Sequence, residues 1–357
     1  MCTILPRQGE VAAKPTEGAD GDVLSNVPPS SRSACHLPLA GEDFGPARDP
    51  ASPEVMTMNP STILGDWGTT RLRLFRMEQG AIADRLDGPG IGQLAGSPAE
   101  TLAATLLPWR DAAQASGVLL CGMAGSRNGL VEVPYAPCPA DVASWRASLS
   151  TVDVDGIAVS VAPGLRSANF SGHADVMRGE ETQIFGAAAL DPALAAGRAM
   201  LVLPGTHSKW AELIDGRVER FHTFPTGELF ALLRDHSTLT RAGTDSTGRE
   251  EGFAAGLARA GTGLIAGLFE ARAAQLVESR SLGWALGLLS GLLIGGEFAE
   301  AMALAGDRPE RIALIGDPGL SALYRQAAER HGLTVSHLDG DACAIAGLAL
   351  LDHQEAA

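Results

Sequence analysis

"TILGDWGTTRLRLF", residues 62–75, is the stretch whose reading decides the fold. A short apolar run ends in Asp66, passes Gly68 and the Thr69–Thr70 pair, and resumes as a strand in which Arg and Leu alternate. Such alternation on one side of a Gly-containing turn, with an apolar run on the other, predicts a β-hairpin. "AIADRL", set off by "EQG", adds a third strand and makes the unit an antiparallel meander. Asp is a poor strand residue and is rarely buried without a partner. Its place at the end of a core strand, beside a tight turn, calls for a ligand or a partner.

Downstream by about 140 residues the plan returns in "AMLVLPGTHSKWAELIDGRVERFHTF" (199–224): an apolar strand, a Gly-Thr turn, an amphipathic strand, a "DGR" turn and a third strand. Two copies of one supersecondary unit point to a duplicated domain. Between them the pattern predicts a helix over 98–116, an apolar strand "GVLLCGM" (117–123), a Gly-rich loop and a helix near 139–149. A strand and loop "GIAVSVAPGL" (156–165) follow. "VMRGEETQIFGAAAL" (176–190) reads as a helix entered through Gly179, with Ile184, Phe185 and Ala188 on its apolar side. Beyond the second copy come helices at 227–236, 249–278 and 283–305, the strand and loop "RIALIGDPGL", a helix at 318–331, the strand "TVSHL" and the helix "DACAIAGLALLD".

The 357 residues, 45% of them apolar, suffice for two domains of ordinary size. With 27 basic against 42 acidic residues the net charge is −15, which argues against a nucleic-acid or anionic-membrane surface. None of the five cysteines has CxxC spacing or sits in a Cys/His cluster, the pattern of reduced thiols in a cytosolic protein. The most apolar stretch, "LGWALGLLSGLLIGG" (282–296), is shorter than the roughly 20 residues a bilayer requires and runs into Glu297; it reads as a buried helix in close contact with its neighbours. Residues 1–60 are rich in Pro, Ser and Gly, lack periodicity and cannot bury enough apolar surface to offset their ordering entropy, so they are expected to be a disordered leader without a signal peptide. Met56 and Met58 stand just before the first strand, where the native start is expected.

A turn of Gly and small hydroxyl residues between paired strands can aim backbone N–H groups at an anion. Two such turns facing each other would clamp a polyphosphate, and an Asp at one strand end would hold a hydrated Mg²⁺. At these residues the chain resembles a known group. "DWGTT" (66–70) and "LPGTHSKW" (203–210) are similar to the two phosphate motifs of the acetate and sugar kinase/hexokinase/actin superfamily. The set "DWGTT…GMAGS…PY…PGL…MRGEETQ…LPGTHSKW…TGEL…HS", spanning about 61–350, resembles the 2-dehydro-3-deoxygalactonokinase family.

The resemblance implies an α/β protein of two ribonuclease-H-like (actin-like ATPase) domains facing a central cleft: 61–186 with substrate-binding insertions, 187–340 binding nucleotide, and a C-terminal helix over 341–357 returning to the interface. It implies a cytoplasmic enzyme that takes ATP, Mg²⁺ and a small sugar acid, and leaves a homo-oligomer open. The reaction implied is transfer of the ATP γ-phosphoryl group to the C6 hydroxyl of 2-dehydro-3-deoxy-D-galactonate. In this reading Asp66 serves the metal through water. Gly68, Thr69 and Thr70 contact phosphate from one side, Gly205 and Thr206 from the other, with Lys209 neutralising charge. His207, beside them, reads equally as a buried imidazole.

Glu180 and Glu181 of "RGEE" are the acidic candidates for accepting the hydroxyl proton. Neighbouring helix positions point about 100° apart, so one of them faces the cleft; Glu180 is favoured, though the sequence leaves the choice open. Arg178, and after it Arg127 with Ser126, are candidates for the substrate carboxylate, which Arg binds bidentately. "LIGDPGLSALY" (314–324) would form the adenosine pocket through Gly316 and Gly319, which an Asp-Pro pair separates where the superfamily usually has adjacent glycines. Gly291, Gly295 and Gly296 fit either the cleft or helix packing. A kinase of another sugar acid, such as 2-dehydro-3-deoxygluconate, and a phosphatase of the same fold are the alternatives. A sugar-sensing regulator would need a DNA-binding module that the leader does not supply.

Overall fold

The computed structural model describes residues 61–352 apart from 241, 242, 307, 308 and 310. The expected leader, the native start and the last residues of the C-terminal helix prediction lie outside the described residues. In chain order the strands are β1 (Ser61–Trp67), β2 (Arg71–Glu78), β3 (Ala81–Pro89), β4 (Val118–Gly122), β5 (Ala136–Pro137), β6 (Ser150–Val154), β7 (Ile157–Val161), β8 (Leu165–Ala168), β9 (Ala174–Met177), β10 (Arg198–Leu203), β11 (Ser208–Ile214), β12 (Arg217–Phe224), β13 (Arg311–Ile315) and β14 (Val335–Leu338).

They form a mixed α/β structure around two large sheets of orders β3-β2-β1-β4-β7-β6 and β12-β11-β10-β13-β14. Each sheet begins with an antiparallel meander and continues in parallel from its first strand, β1 to β4 in one and β10 to β13 in the other. The two meanders read from alternation and turn residues are therefore the seeds of two sheets with one topology. β4, "VLLCG", is buried at every position, as a central strand covered on both faces must be.

One face of each sheet turns to a shared core. Leu64, Phe75 and Leu119 of the first sheet and Leu201, Phe221 and Ala313 of the second belong to one cluster. Ile184 and Phe185 of the helix Glu180–Leu190 and Leu348 and Leu351 of the helix Gly340–Asp352 join it. These two helices meet backbone to backbone: a Cβ on Gly186 would lie 1.8 Å from the Cys343 carbonyl oxygen, and one on Gly347 1.9 Å from that of Thr182. The outer face of the first sheet packs under the helices Pro98–Thr105 and Arg110–Ser116, through Leu102, Leu106 and Ala113. The outer face of the second is covered by Phe253, Phe298 and Tyr324 from the helices Arg249–Arg259, Leu282–Ala305 and Pro318–Arg330.

Three helix predictions are corrected. The 98–116 helix is two helices separated by a 3₁₀ turn at Leu107–Trp109, because Pro108 cannot continue the hydrogen-bond ladder. The 139–149 helix shrinks to Val142–Arg146, started by an Asp141–Ser144 capping box. The 249–278 helix ends at Arg259 and restarts at Leu264 and again at Glu270; Gly263 sits at φ +107° between the pieces, a conformation L side chains avoid.

The apolar 282–296 run belongs to a longer helix, Leu282–Ala305, of 24 residues. Among the described residues it is the helix long and apolar enough to cross a membrane, and most of it is buried within the fold. Its glycines recur every fourth residue on one face, against the helix Arg249–Arg259. A Cβ on Gly287 would come within 2.1 Å of the Arg249 carbonyl oxygen, and one on Gly291 within 2.2 Å of that of Phe253. Packing accounts for Gly291.

Candidate active site

A cleft of about 480 Å³ lies where the carboxyl ends of β1, β4, β9, β10 and β13 converge. Strand ends of this kind are where open α/β sheets bind ligands.

The first wall begins at the β1–β2 turn. The Gly68 N–H donates to the Arg71 carbonyl (2.8 Å), and the Ile91 and Gly92 amides donate to the carbonyls of Gly68 and Thr69 (3.1 and 2.9 Å), so the loop is held from outside. In the hairpin register Asp66 stands opposite Arg73 and pairs with it; Arg73 also pairs with Asp341 at the start of the helix Gly340–Asp352. Burial raises the Asp66 carboxyl above its usual range, against the pull of the Arg73 guanidinium.

The helix Glu180–Leu190 is entered through Gly179 at φ +106°, and its first two residues part company. Glu180 lines the cleft, with Oε1 3.5 Å from Lys209 Nζ and Oε2 accepting from the Arg178 N–H at 3.1 Å. Glu181 is wholly buried and turned back onto its own helix start, accepting from the Gly179 N–H at 2.7 Å and from the Thr182 hydroxyl at 3.3 Å. Burial, with the Glu180 charge beside it, pushes Glu181 up to about 8. Before them, the Arg178 guanidinium sits over the Tyr135 ring, 4.3 Å from its centroid, and donates through Nη2 to the Val133 carbonyl (2.7 Å). Its Nε and Nη1 are buried and have no partner.

The second wall carries Gly205, Thr206, His207 and Lys209. The Glu228 N–H donates to the Thr206 carbonyl (3.0 Å), and His207 Nε2 sits 2.8 Å from the Glu228 carboxylate. The Lys209 side chain is only 5% exposed and donates to the His207 carbonyl at 3.3 Å. Gly316, at φ +135°, closes the floor after β13. The Asp-Pro pair beyond it is a helix start: Asp317 accepts from the Leu320 N–H and Pro318 takes the first helical position, where a missing N–H costs nothing.

The cleft thus brings together Asp66, Gly68, Thr69, Arg178, Glu180, Gly205, Thr206, Lys209 and Gly316. Thr70 is exposed next to it, Gly319 is exposed in the first turn of its helix, and Glu181 lies behind. Ser126 and Arg127 line an adjoining depression that shares Tyr135 and Arg178 with the cleft. Ser126 donates to the Met123 carbonyl (2.8 Å), while the Arg127 side chain is 86% exposed, 3.7 Å from Glu132. No cluster of three or more metal-ligating side chains occurs among the described residues. Asp66, paired with Arg73 and set between the two turns, suits a hydrated Mg²⁺ completed by phosphate oxygens, and would not hold a metal unaided.

Three residues were given no role by the sequence reading. Tyr135 and Gln183 line the cleft; they fall within the "PY" and "MRGEETQ" motifs, which assigned them no chemistry. Arg73 was findable: pairing outward from the turn at Gly68–Arg71 sets 67 opposite 72 and 66 opposite 73.

The profile of the 2-keto-3-deoxy-galactonokinase family, another form of the name 2-dehydro-3-deoxygalactonokinase, matches residues 66–351. A Rhizobium meliloti (strain 1021) protein named "Probable 2-dehydro-3-deoxygalactonokinase DgoK1" is 39% identical over 299 residues, covering 80% of this chain and 94% of its own length. The Escherichia coli (strain K12) 2-dehydro-3-deoxygalactonokinase is 34% identical over 293 residues, covering 81% and 96%. A crystal structure from Sinorhizobium meliloti, of a protein carrying a provisional name in the same family, superposes with a TM-score of 0.73 at 36% identity, over 81% of this chain and 97% of that one. The chain is a sugar kinase. The chain belongs to the 2-keto-3-deoxy-galactonokinase family.

Proposed function

We propose that the protein transfers the γ-phosphoryl group of MgATP to the C6 hydroxyl of 2-dehydro-3-deoxy-D-galactonate, in galactonate breakdown in the cytoplasm. The observation that carries the choice of a sugar acid is Arg178. A guanidinium with two buried, unpartnered nitrogens, Nε and Nη1, is costly unless an acceptor arrives for them, and a carboxylate is the anion with which arginine pairs most strongly. Tyr135 beneath it holds the guanidinium in place, and Ser126 and Arg127 extend the same side toward the acid.

Phosphoryl transfer is catalysed mainly by positioning and charge stabilisation. Gly68, Thr69 and Thr70 serve the β- and γ-phosphates from one wall; Gly205, Thr206 and Lys209 serve them from the other. Gly316, with Gly319 beyond it, borders the adenosine. Asp66 holds Mg²⁺ through water, and the ion when bound neutralises phosphate charge. Glu180 takes the proton of the attacking hydroxyl, while Glu181 orders the helix start behind it. The two sheets belong, in this reading, to ribonuclease-H-like domains at 61–186 and 187–340 that close over the ligands and exclude water, with the helix from 341 returning between them.

A coupled assay with MgATP and a panel of sugar acids and neutral sugars tests this. The 6-phosphate of 2-dehydro-3-deoxy-D-galactonate is the expected product, and Arg178→Ala should raise KM for the acid about 30-fold or more while sparing KM for MgATP. A better turnover of 2-dehydro-3-deoxygluconate would move the acceptor. Phosphate release with no phosphorylated acid would overturn the kinase assignment.

A further inference from the structure

The helix Leu282–Ala305 is apolar along most of its length, yet it carries Glu297 inside the protein, 4% exposed. Oε1 accepts from the Ser208 hydroxyl (2.6 Å) and the Trp210 indole N–H (2.7 Å), and Oε2 from the Tyr324 hydroxyl (2.6 Å). The Thr226 hydroxyl is a fourth partner. All four are neutral donors, and together they match the four lone-pair positions of a carboxylate. Apolar residues of similar volume would stabilise this interior at least as well as a buried charge does. What the carboxylate supplies instead is four fixed directions.

Two of those directions lead to the second Gly-Thr turn. Ser208 opens β11 directly after His207, and strand alternation sends its neighbour Lys209 the other way, toward Glu180. Thr226 opens the helix Thr226–His236. Its next residue, Gly227, approaches so closely that a Cβ there would lie 2.4 Å from the Gly205 carbonyl oxygen, and Glu228 donates its N–H to the Thr206 carbonyl. One buried carboxylate therefore holds the strand that leaves the turn and the helix that braces it, while Tyr324 anchors both to the helix Pro318–Arg330 just beyond Gly316.

We propose that Glu297 is a positioning residue for the nucleotide side of the reaction, holding Gly205, Thr206 and Lys209 from behind. The proposal rests on the reading that this turn meets the phosphates. A glutamine at 297 keeps the shape but presents an NH₂ where an acceptor is needed, and Tyr324→Phe removes one donor while keeping the ring.

The test measures KM for MgATP, KM for the sugar acid, and backbone hydrogen exchange across 204–210 and 225–229 in wild type, Glu297→Gln, Tyr324→Phe and Lys209→Met. Glu297→Gln should raise KM for MgATP about tenfold, leave KM for the acid within about twofold, and speed exchange in those two segments alone; Tyr324→Phe should do the same more weakly. Unchanged exchange at 204–210 in both variants, or loosening spread over the whole protein with both KM values rising together, would overturn it. If Lys209→Met leaves KM for MgATP untouched, the phosphate reading of the turn fails, and exchange alone then decides: faster at 204–210 supports the positioning role, unchanged refutes it.

Discussion

One step back from the last ladder pair, the β1–β2 hairpin sets Asp66 opposite Arg73, whereas the β10–β11 hairpin sets Val202 opposite Trp210. At the last pair itself, the first hairpin has Trp67 opposite Leu72 and the second has Leu203 opposite Lys209. The two meanders share a topology and have parted in charge. The first wall puts carboxylates at the cleft, Asp66 and, from the neighbouring helix, Glu180. The second puts a lysine there and keeps its carboxylate, Glu297, behind the strand among neutral donors. A duplicated scaffold can thus carry metal-facing and proton-accepting groups on one side and phosphate-facing groups on the other. Val202–Leu203 at the ladder places of Asp66–Trp67 is where that division shows in the sequence.

Single substitutions on each wall test the division. Glu180→Gln should cost the most, with kcat falling about 10²–10⁴-fold and KM for MgATP nearly unchanged in steady-state assays. Asp66→Asn should lower kcat/KM about 10²–10³-fold and raise the Mg²⁺ concentration needed for half-maximal rate. Lys209→Met should instead raise KM for MgATP about tenfold at an unaltered Mg²⁺ requirement. Should both of the latter variants, or neither, raise the Mg²⁺ requirement, the two walls do not differ in the way their charges suggest.

Both hairpins were legible because their signals are local: period-two alternation, turn residues, and a register that follows from the turn. The helix entry at Gly179 was legible for the same reason. The meeting of Arg178 with Tyr135, 43 residues earlier, and that of Glu297 with Ser208, 89 apart, leave no periodic trace. Such contacts depend on how the sheets stack, and a polar residue in an apolar run shows only that some partner is needed. The sequence left the orientation of Glu180 and Glu181 open because both suit a helix N-terminus; the buried side of Gly179 resolves it, with its N–H turned to Glu181.

Glu181 gives the first wall a pH dependence. Its carboxyl is pushed up to about 8 in the folded protein, mainly by burial, against an ordinary value of 4.5 when unfolded. Between those values the folded state keeps a proton that the unfolded state has released. The stability this confers is full below the ordinary range and is lost as the pH climbs through 8. Glu181→Gln stays neutral throughout and keeps an acceptor for the Gly179 N–H. Thermal melts of the two proteins should therefore differ least near pH 5 and most at pH 8 and above, with the variant the more stable there by on the order of 2–4 kcal/mol. A gap that is constant with pH would mean that Glu181 is already ionised at pH 5.

The smallest expected effect concerns what sets the distance between the walls. The helices Glu180–Leu190 and Gly340–Asp352 cross with Gly347 against the Thr182 carbonyl, and the first of them delivers Glu180 to the cleft. A methyl on Gly347 would lie 1.9 Å from that oxygen, so the helices must part. Gly347→Ala should destabilise by about 1–3 kcal/mol. Because it moves one wall against the other rather than altering either, KM for MgATP and KM for the sugar acid should rise together. Gly296→Ala is the control: a Cβ there meets nothing within 4 Å, and helix propensity favours alanine by roughly 1 kcal/mol. If Gly347→Ala weakens binding of one ligand alone, the crossing acts on a single wall, and the separation between them is set elsewhere.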